Sequence, residues 1–424
     1  MRPLYLLAVY VAAPLHAAML WIRARAARDP RAPPLSQRFG FGAPIAGAPL
    51  WIHAASVGEM QPAAALVTAL RARWPSLPIL VTAFTPTGAA RAAALGPDVT
   101  VRYLPYDLPG SVRRFLERAR PRIAIILETE LWPTLYRQCR LRGTPLIIAS
   151  ARLSGRSAGR YRRFAALLHD TLLEAVVAAQ TAQDAERFRA IGAEPARTHV
   201  IGNLKFDCAL PPDIGVRGAR LREHYAPARA LWVAGSTHEG EEAAVIAAHR
   251  QVRAALPGAL LVLAPRHPQR FEGVASLLAA QGMAYVRHSR SPEPAAAADA
   301  AVVLLDTLGE LLDFYAAADA AFVGGSLVPV GGHNLLEPAA LGRPIATGPH
   351  QFNAQDVARL LLECGAARQV RDEGELAECM TGWLREPGER ARAGAQGRAV
   401  VSANRGALER LLALITPMLG AAQR

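Results

Sequence analysis

Four side chains able to move a proton or pair a charge fall just past short apolar runs in the first half of this chain. Glu59 closes the stretch His53-Ala-Ala-Ser56-Val-Gly58-Glu59, and Glu128 and Glu130 follow the apolar run at 123–127 in Glu128-Thr129-Glu130-Leu-Trp132-Pro133. Lys205 lies in Asn203-Leu204-Lys205-Phe206-Asp207. A carboxylate at a strand end can act as a general base, and one leaving a buried strand needs a partner, because an ionised group beside a low dielectric is costly alone. If the backbone stays extended, Glu128 and Glu130 point to one side and Thr129 to the other. One carboxylate then orients Lys205 while the other caps the helix beginning near Trp132. Lys205 is the only lysine among 48 basic residues. In a chain that otherwise uses arginine throughout, it marks a place for a compact ammonium instead of a planar fork. Glu59 also has a plainer reading, a favourable carboxylate in the first turn of a helix. Thr85-Pro-Thr87-Gly88 reads as an N-cap turn.

The second half has a different chemistry. Arg266, in Ala264-Pro265-Arg266-His267, leaves a strand end where a guanidinium suits phosphate or carboxylate. Leu308-Gly309-Glu310 opens a helix, and Gly324-Gly325-Ser326 and Gly331-Gly332-His333-Asn334-Leu335-Leu336-Glu337 are glycine turns before another. Paired glycines let backbone amides approach a phosphate, and Glu337, in the helix, could reach a ribose diol. Glu241 and Glu242, after Ser236-Thr237, fit first-turn capping. No GxxxxGK[ST] loop occurs, and no GxGxxG with a distant acid follows the first strand, so P-loop and dinucleotide readings are weak. His and carboxylate residues do not recur at metal-site spacing, and no metal is expected.

These residues need strands and helices to hold them. Short apolar runs alternate with helical patterns, with strands expected at 50–53, 79–82, 101–104, 123–127, 146–149, 175–179 and 199–201, then at 231–234, 260–263, 285–287, 302–305, 320–323 and 344–346. The pattern breaks at 211–230. This predicts an α/β protein of two facing Rossmann-like domains, with ligands outside the carboxyl ends of the strands and the active site in the cleft. We expect an anchor and basic flank at 1–28, one domain at 29–210 and a second at 211–424.

Composition narrows the class. At 424 residues and 51% hydrophobic, the chain is too long for one ordinary core. A net charge of +13 without a zinc-finger or RNA-binding signature suits an anionic membrane or substrate, and no nucleic acid is expected. Cys139, Cys208, Cys364 and Cys379 are scattered, which points to a reducing compartment. From Leu4 to Ile22 there is no formal charge, barely enough to cross a bilayer, with Arg23, Arg25, Arg28 and Arg31 after it and only Arg2 before. That asymmetry predicts an uncleaved anchor, spanning or embedded, with the domains on the cytoplasmic side. A signal peptide or a buried core helix is the competing reading.

Taken in order and spacing, HAASVGE, PYDLP, ETELWP, SARLS, GNLKFD, STHEGEE, APRHPQRF, FVGGS and GGHNLLEPAALGRP make the chain resemble the Kdo (3-deoxy-D-manno-octulosonic acid) transferases of lipopolysaccharide synthesis. The resemblance implies the two-domain glycosyltransferase B (GT-B) fold with a membrane-anchor helix, the acceptor domain at 29–210 and the nucleotide-sugar domain at 211–424, with the last helix packing back on the first domain. It implies a CMP-Kdo donor and a lipid A precursor (lipid IVA) as acceptor at the cytoplasmic face of the inner membrane, with inversion and no metal or cofactor. Carried over, the general base matches Glu59, transition-state stabilisation matches Glu128 and Lys205, and the CMP contacts match Pro265, Arg266, Leu308, Gly309, Glu310, Asn334, Leu335, Leu336 and Glu337. The alternatives are another nucleotide-sugar transferase of this fold, or a non-catalytic membrane-tethered lipid A binding protein.

Overall fold

Fully buried parallel strands need apolar side chains on both faces, and the runs in this chain supply them. The computed structural model describes residues 2–27, 34–207, 210–290 and 299–421. They form two compact units: the residues up to Asp207 together with those from Asn404 onward, and the residues between.

The first unit holds a seven-stranded sheet with order β3-β2-β1-β4-β5-β6-β7. Its strands are β1 (Leu50–His53), β2 (Ile79–Ala83), β3 (Val99–Tyr103), β4 (Ile123–Leu127), β5 (Leu146–Ala151), β6 (Val176–Ala179) and β7 (Thr198–Val200). Every pairing is parallel, with Leu50 beside both Ile79 and Ile123. Along β4, Ile123, Ile125 and Leu127 enter the core on one face while Ala124 and Ile126 enter the core on the other. The last helix, Ala407–Ala421, adds Leu411, Leu412 and Ile415 to the first of these cores.

The second unit has its own seven-stranded parallel sheet, ordered β10-β11-β9-β8-β12-β13-β14. These are β8 (Leu231–Thr237), β9 (Leu260–Pro265), β10 (Tyr285–Arg287), β11 (Val302–Leu304), β12 (Ala320–Val323), β13 (Ile345–Thr347) and β14 (Ala367–Gln369). Trp232, Phe322 and Trp383 anchor its core.

The structure corrects several expectations. The strand expected at 101–104 runs instead over Val99–Tyr103, which reaches two residues earlier because Val99 pairs with Ile79. The break at 211–230 contains a helix, Ile214–Tyr225, whose arginine-rich surface hides its periodicity. Strand β14 is an edge strand with Arg368 and Gln369 exposed, so no apolar run announces it. Ahead of β1, Arg38 is 1% exposed and stacks over Phe84 at 4.4 Å and Tyr103 at 4.8 Å, so the segment before the first strand is built into the unit. Arg28, Arg31 and Cys208 lie outside the described residues. The helix Arg2–Ala27 includes one stretch, Arg2–Leu20, long and apolar enough to cross a membrane by length and composition.

Candidate active site

In the first unit, the segments that follow β1, β4 and β7 carry Glu59, Glu128 and Lys205. Glu59 lies in the first turn of the helix Val57–Arg73, whose N-cap is Ser56. Its carboxylate accepts the Ala55 amide at 2.6 Å and the Ser56 hydroxyl at 3.0 Å, so the capping reading is realised. Those contacts also fix where the carboxylate points. Burial first, and then the charge of Glu128, push the Glu59 carboxyl up to about 7, against the hydrogen bonds from Ala55 and Ser56. A carboxylate tuned this way matches a general base operating near neutrality. His53, in the same motif, is fully buried against Thr82, and burial pulls it down to about 3, which keeps the imidazole neutral.

Glu128 departs from the extended form expected for it. Its φ is +56°, a left-handed conformation that costs a non-glycine residue about 1 kcal/mol or more and persists only where the surroundings enforce it. Its amide still continues the β4–β5 ladder by donating to Ala149 O at 3.0 Å. Its carboxylate meets the Lys205 ammonium at 2.7 Å, with both side chains about one-fifth exposed. Glu130 does not follow Glu128 along an extended strand. Burial first, then the charge of Glu128, push it up to about 7. The helix Pro133–Leu141 is capped by Asp107 of the PYDLP motif, not by Glu130: the Asp107 carboxylate accepts the Thr134 and Leu135 amides, each at 2.8 Å.

Lys205 sits in a short 3-10 turn, Leu204–Phe206, whose N-cap Asn203 accepts the Lys205 amide on its Oδ1 at 3.0 Å. From beneath, the Leu204 amide donates to Ser150 Oγ at 3.3 Å, and Ser150 itself has φ +55° at an irregularity in β5. Asp207 closes the motif by accepting the Gly406 and Leu408 amides, each at 2.6 Å, at the start of the last helix. Ser150 and Asp207 thus frame the lysine. Sequence reasoning gave neither a role, although both stand inside the SARLS and GNLKFD motifs it singled out.

In the second unit, Pro265 ends β9, and Arg266 follows half-buried, its amide donating to Thr237 O at 2.9 Å. Leu308 is largely exposed and Gly309 adopts φ +92° beside open space. Glu310, the N-cap of the helix Leu311–Ala317, accepts Thr307 Oγ1 and lies 3.4 Å from His288 Nε2. Burial raises its carboxyl, but these hydrogen bonds prevail and leave it below the ordinary range. Asn334 donates to Glu337 at 2.9 Å and accepts the Leu336 amide at 3.1 Å, while burial pushes Glu337 up. The side chains of Leu335 and Leu336 are buried, which leaves only their main chain able to meet a ligand.

The glycine turns differ from the phosphate cradle expected of them. The Gly331 and Gly332 amides both donate to Gly325 O, at 3.0 and 2.7 Å. The Gly325, Ser326 and Leu327 amides converge on the fully buried Glu241 carboxylate at 2.7 to 2.9 Å, and the His238 amide joins them at 2.9 Å. A protein carboxylate occupies this nest. Glu241 therefore does more than cap its own helix.

Comparison with known proteins places these motifs. The family model described as 3-Deoxy-D-manno-octulosonic-acid transferase (kdotransferase) matches residues 34–208. A 3-deoxy-D-manno-octulosonic acid transferase of Haemophilus influenzae is 40% identical over 391 residues, 91% of each chain. One of Bordetella pertussis is 41% identical, covering 99% of this chain and 100% of its own. In fold, the UDP-GlcNAc 2-epimerase of Neisseria meningitidis bound to UDP-GlcNAc superposes with a TM-score of 0.57 at 11% identity, covering 87% of this chain and 99% of the other. On that high-coverage sequence identity, the chain belongs to the Kdo transferase family.

Proposed function

We propose that this Kdo transferase moves Kdo from CMP-Kdo to a hydroxyl of a lipid A precursor (lipid IVA) at the cytoplasmic face of the inner membrane, with inversion and without a metal or cofactor. The observation that carries the reading is the group in the first unit: a buried Glu59 raised to about 7 beside the Glu128–Lys205 pair. Glu59 takes the proton as the acceptor hydroxyl attacks the anomeric carbon, and CMP leaves from the opposite face. One carboxylate suffices because a departing phosphate monoester needs little acid help. Lys205, steadied by Glu128, faces the charge of the donor carboxylate or the departing phosphate.

We assign the acceptor to the first unit and CMP-Kdo to the second, with Arg266 on the phosphate, Glu337 on the ribose, and Pro265, Leu308 to Glu310 and Asn334 to Leu336 around the nucleotide. The corrected glycine turns sharpen this assignment. With the Gly325 to Leu327 and Gly331–Gly332 amides already spent, charge neutralisation within the second unit falls to Arg266. Names carried by the relatives support the donor sugar, and the apolar Arg2–Leu20 stretch supports a membrane-held acceptor.

The test is mass spectrometry of products from the full chain with CMP-Kdo and lipid IVA in EDTA. The expected result is acceptor heavier by whole Kdo units, with anomeric inversion seen by NMR. Product from a UDP-sugar in place of CMP-Kdo, or transfer only after a divalent ion is restored, would overturn the corresponding part.

A further inference from the structure

The N-terminal helix is fastened lengthwise to the folded unit. Near its start, the Tyr5 hydroxyl donates to Asp107 Oδ2 at 2.6 Å. Farther along, Val9, Ala13 and Ala17 pack with Phe39, Tyr106 and Leu108, and His16 Nδ1 lies 3.0 Å from the Tyr106 hydroxyl with its ring stacked on Phe84. These positions make one stripe of a helix, and eleven residues at 1.5 Å each separate the two hydrogen bonds by about 16 Å. The receiving surface is rigid, since the same Asp107 carboxylate holds the N-terminus of the helix Pro133–Leu141. The opposite stripe is also apolar: Leu4, Leu7, Val11, Leu15 and Met19 are exposed, Leu4 and Leu15 by about two-thirds. A helix apolar all round and covered on one side only needs an apolar medium on the other.

We infer that this helix lies in the plane of the membrane surface, docked on its unit by one stripe and immersed in lipid by the other, and does not span the bilayer. The inference rests on the membrane reading above and adds the topology. Spanning would require either breaking the Tyr5 and His16 contacts or carrying Arg38 and Asp107 of the folded unit into hydrocarbon, where each charge is costly. The occupant is an anionic lipid surface. Exposed Phe41 lies two residues beyond Phe39, with the Arg114 and Arg118 guanidiniums 4.6 and 5.7 Å from its ring, an aromatic and cationic pairing suited to headgroup depth. The +13 net charge acts in the same direction.

The test places a nitroxide on Leu4→Cys, Leu7→Cys, Val11→Cys, Leu15→Cys and Met19→Cys, one at a time in the full chain. Each variant is co-reconstituted from detergent into phosphatidylethanolamine–phosphatidylglycerol vesicles, with the unsubstituted chain as background. Oxygen and nickel accessibilities then report depth. The in-plane helix gives five similar depths, about 5–10 Å below the headgroup boundary. Depths that pass through a maximum near Val11, with a spread of about 11 Å, would overturn the topology while keeping the membrane reading. Water-like accessibility at all five positions would overturn both, and spin–spin broadening without lipid contact would replace lipid with a second copy of the chain.

Discussion

At Glu59, burial and neighbouring charge act in one direction, and the proposed chemistry depends on their sum. A general base works ionised, so kcat/KM is expected to rise with pH through about 7, where the carboxyl loses its proton. Glu59→Gln lowers turnover by at least ~100-fold and leaves CMP-Kdo binding intact, as titration calorimetry would show; unchanged turnover would leave Glu59 as a helix cap only. Glu128→Gln removes the second-largest cause of the upward shift and frees the Lys205 ammonium. Both changes favour the ionised base, so the acid limb of the pH profile moves down while residual burial keeps it above the ordinary glutamate range. A limb that stays in place or moves up contradicts the coupling. Lys205→Arg tests the ammonium itself: a guanidinium is wider and delocalised, and turnover falls if the 2.7 Å pair with Glu128 positions a point charge. Retained wild-type turnover would make the single lysine incidental.

Elements in this protein are held at their ends by carboxylates to which the proposed chemistry gives no part. Asp107 holds one helix start and Asp207 another, each through two amides. Glu241 does the same on a larger scale, joining the end of β8, its own helix and the turn after β12 through four amides. Glu241→Ala strands those amides. At ~1–3 kcal/mol for each buried group left unsatisfied, partly relieved by entering water, we expect a loss of about 3 kcal/mol in chemical denaturation of the full chain. A change under ~1 kcal/mol would show that the turn re-forms without its anion. Sequence reasoning took Glu241 for an ordinary first-turn acid because its partners at 325–327 lie more than eighty residues away. Helix capping by a neighbour is legible in a motif, whereas capping from across a sheet is not.

At the scale of the molecule, the two units have separate sheets and separate cores, and the proposal divides donor and acceptor between them. Hydrogen exchange with and without CMP tests this division. Protection is expected at 265–267, 308–311 and 333–337 in the second unit, with no change at 55–60 or 203–206. Protection centred on the first unit would reverse the assignment. The inner strands were legible because parallel strands buried on both faces are continuous apolar runs bounded by turns. Strand β14, with Arg368 and Gln369 exposed, and the helix Ile214–Tyr225 were not, since exposed polar surface erases the period that marks an element.

Sequence alone determined the alternating α/β pattern, the residues at strand ends and, through their order and spacing, the family, because burial and turn chemistry leave a local record. Tertiary structure decided what those residues meet. It turned Glu128 through a left-handed φ onto Lys205, filled the glycine nest with Glu241, and laid the first helix along Asp107 and Tyr106. Each of these joins groups distant in the chain, 77 residues apart for Lys205 and Glu128. Local residue preferences carry no information about such partners; only the packed fold brings them within hydrogen-bond reach.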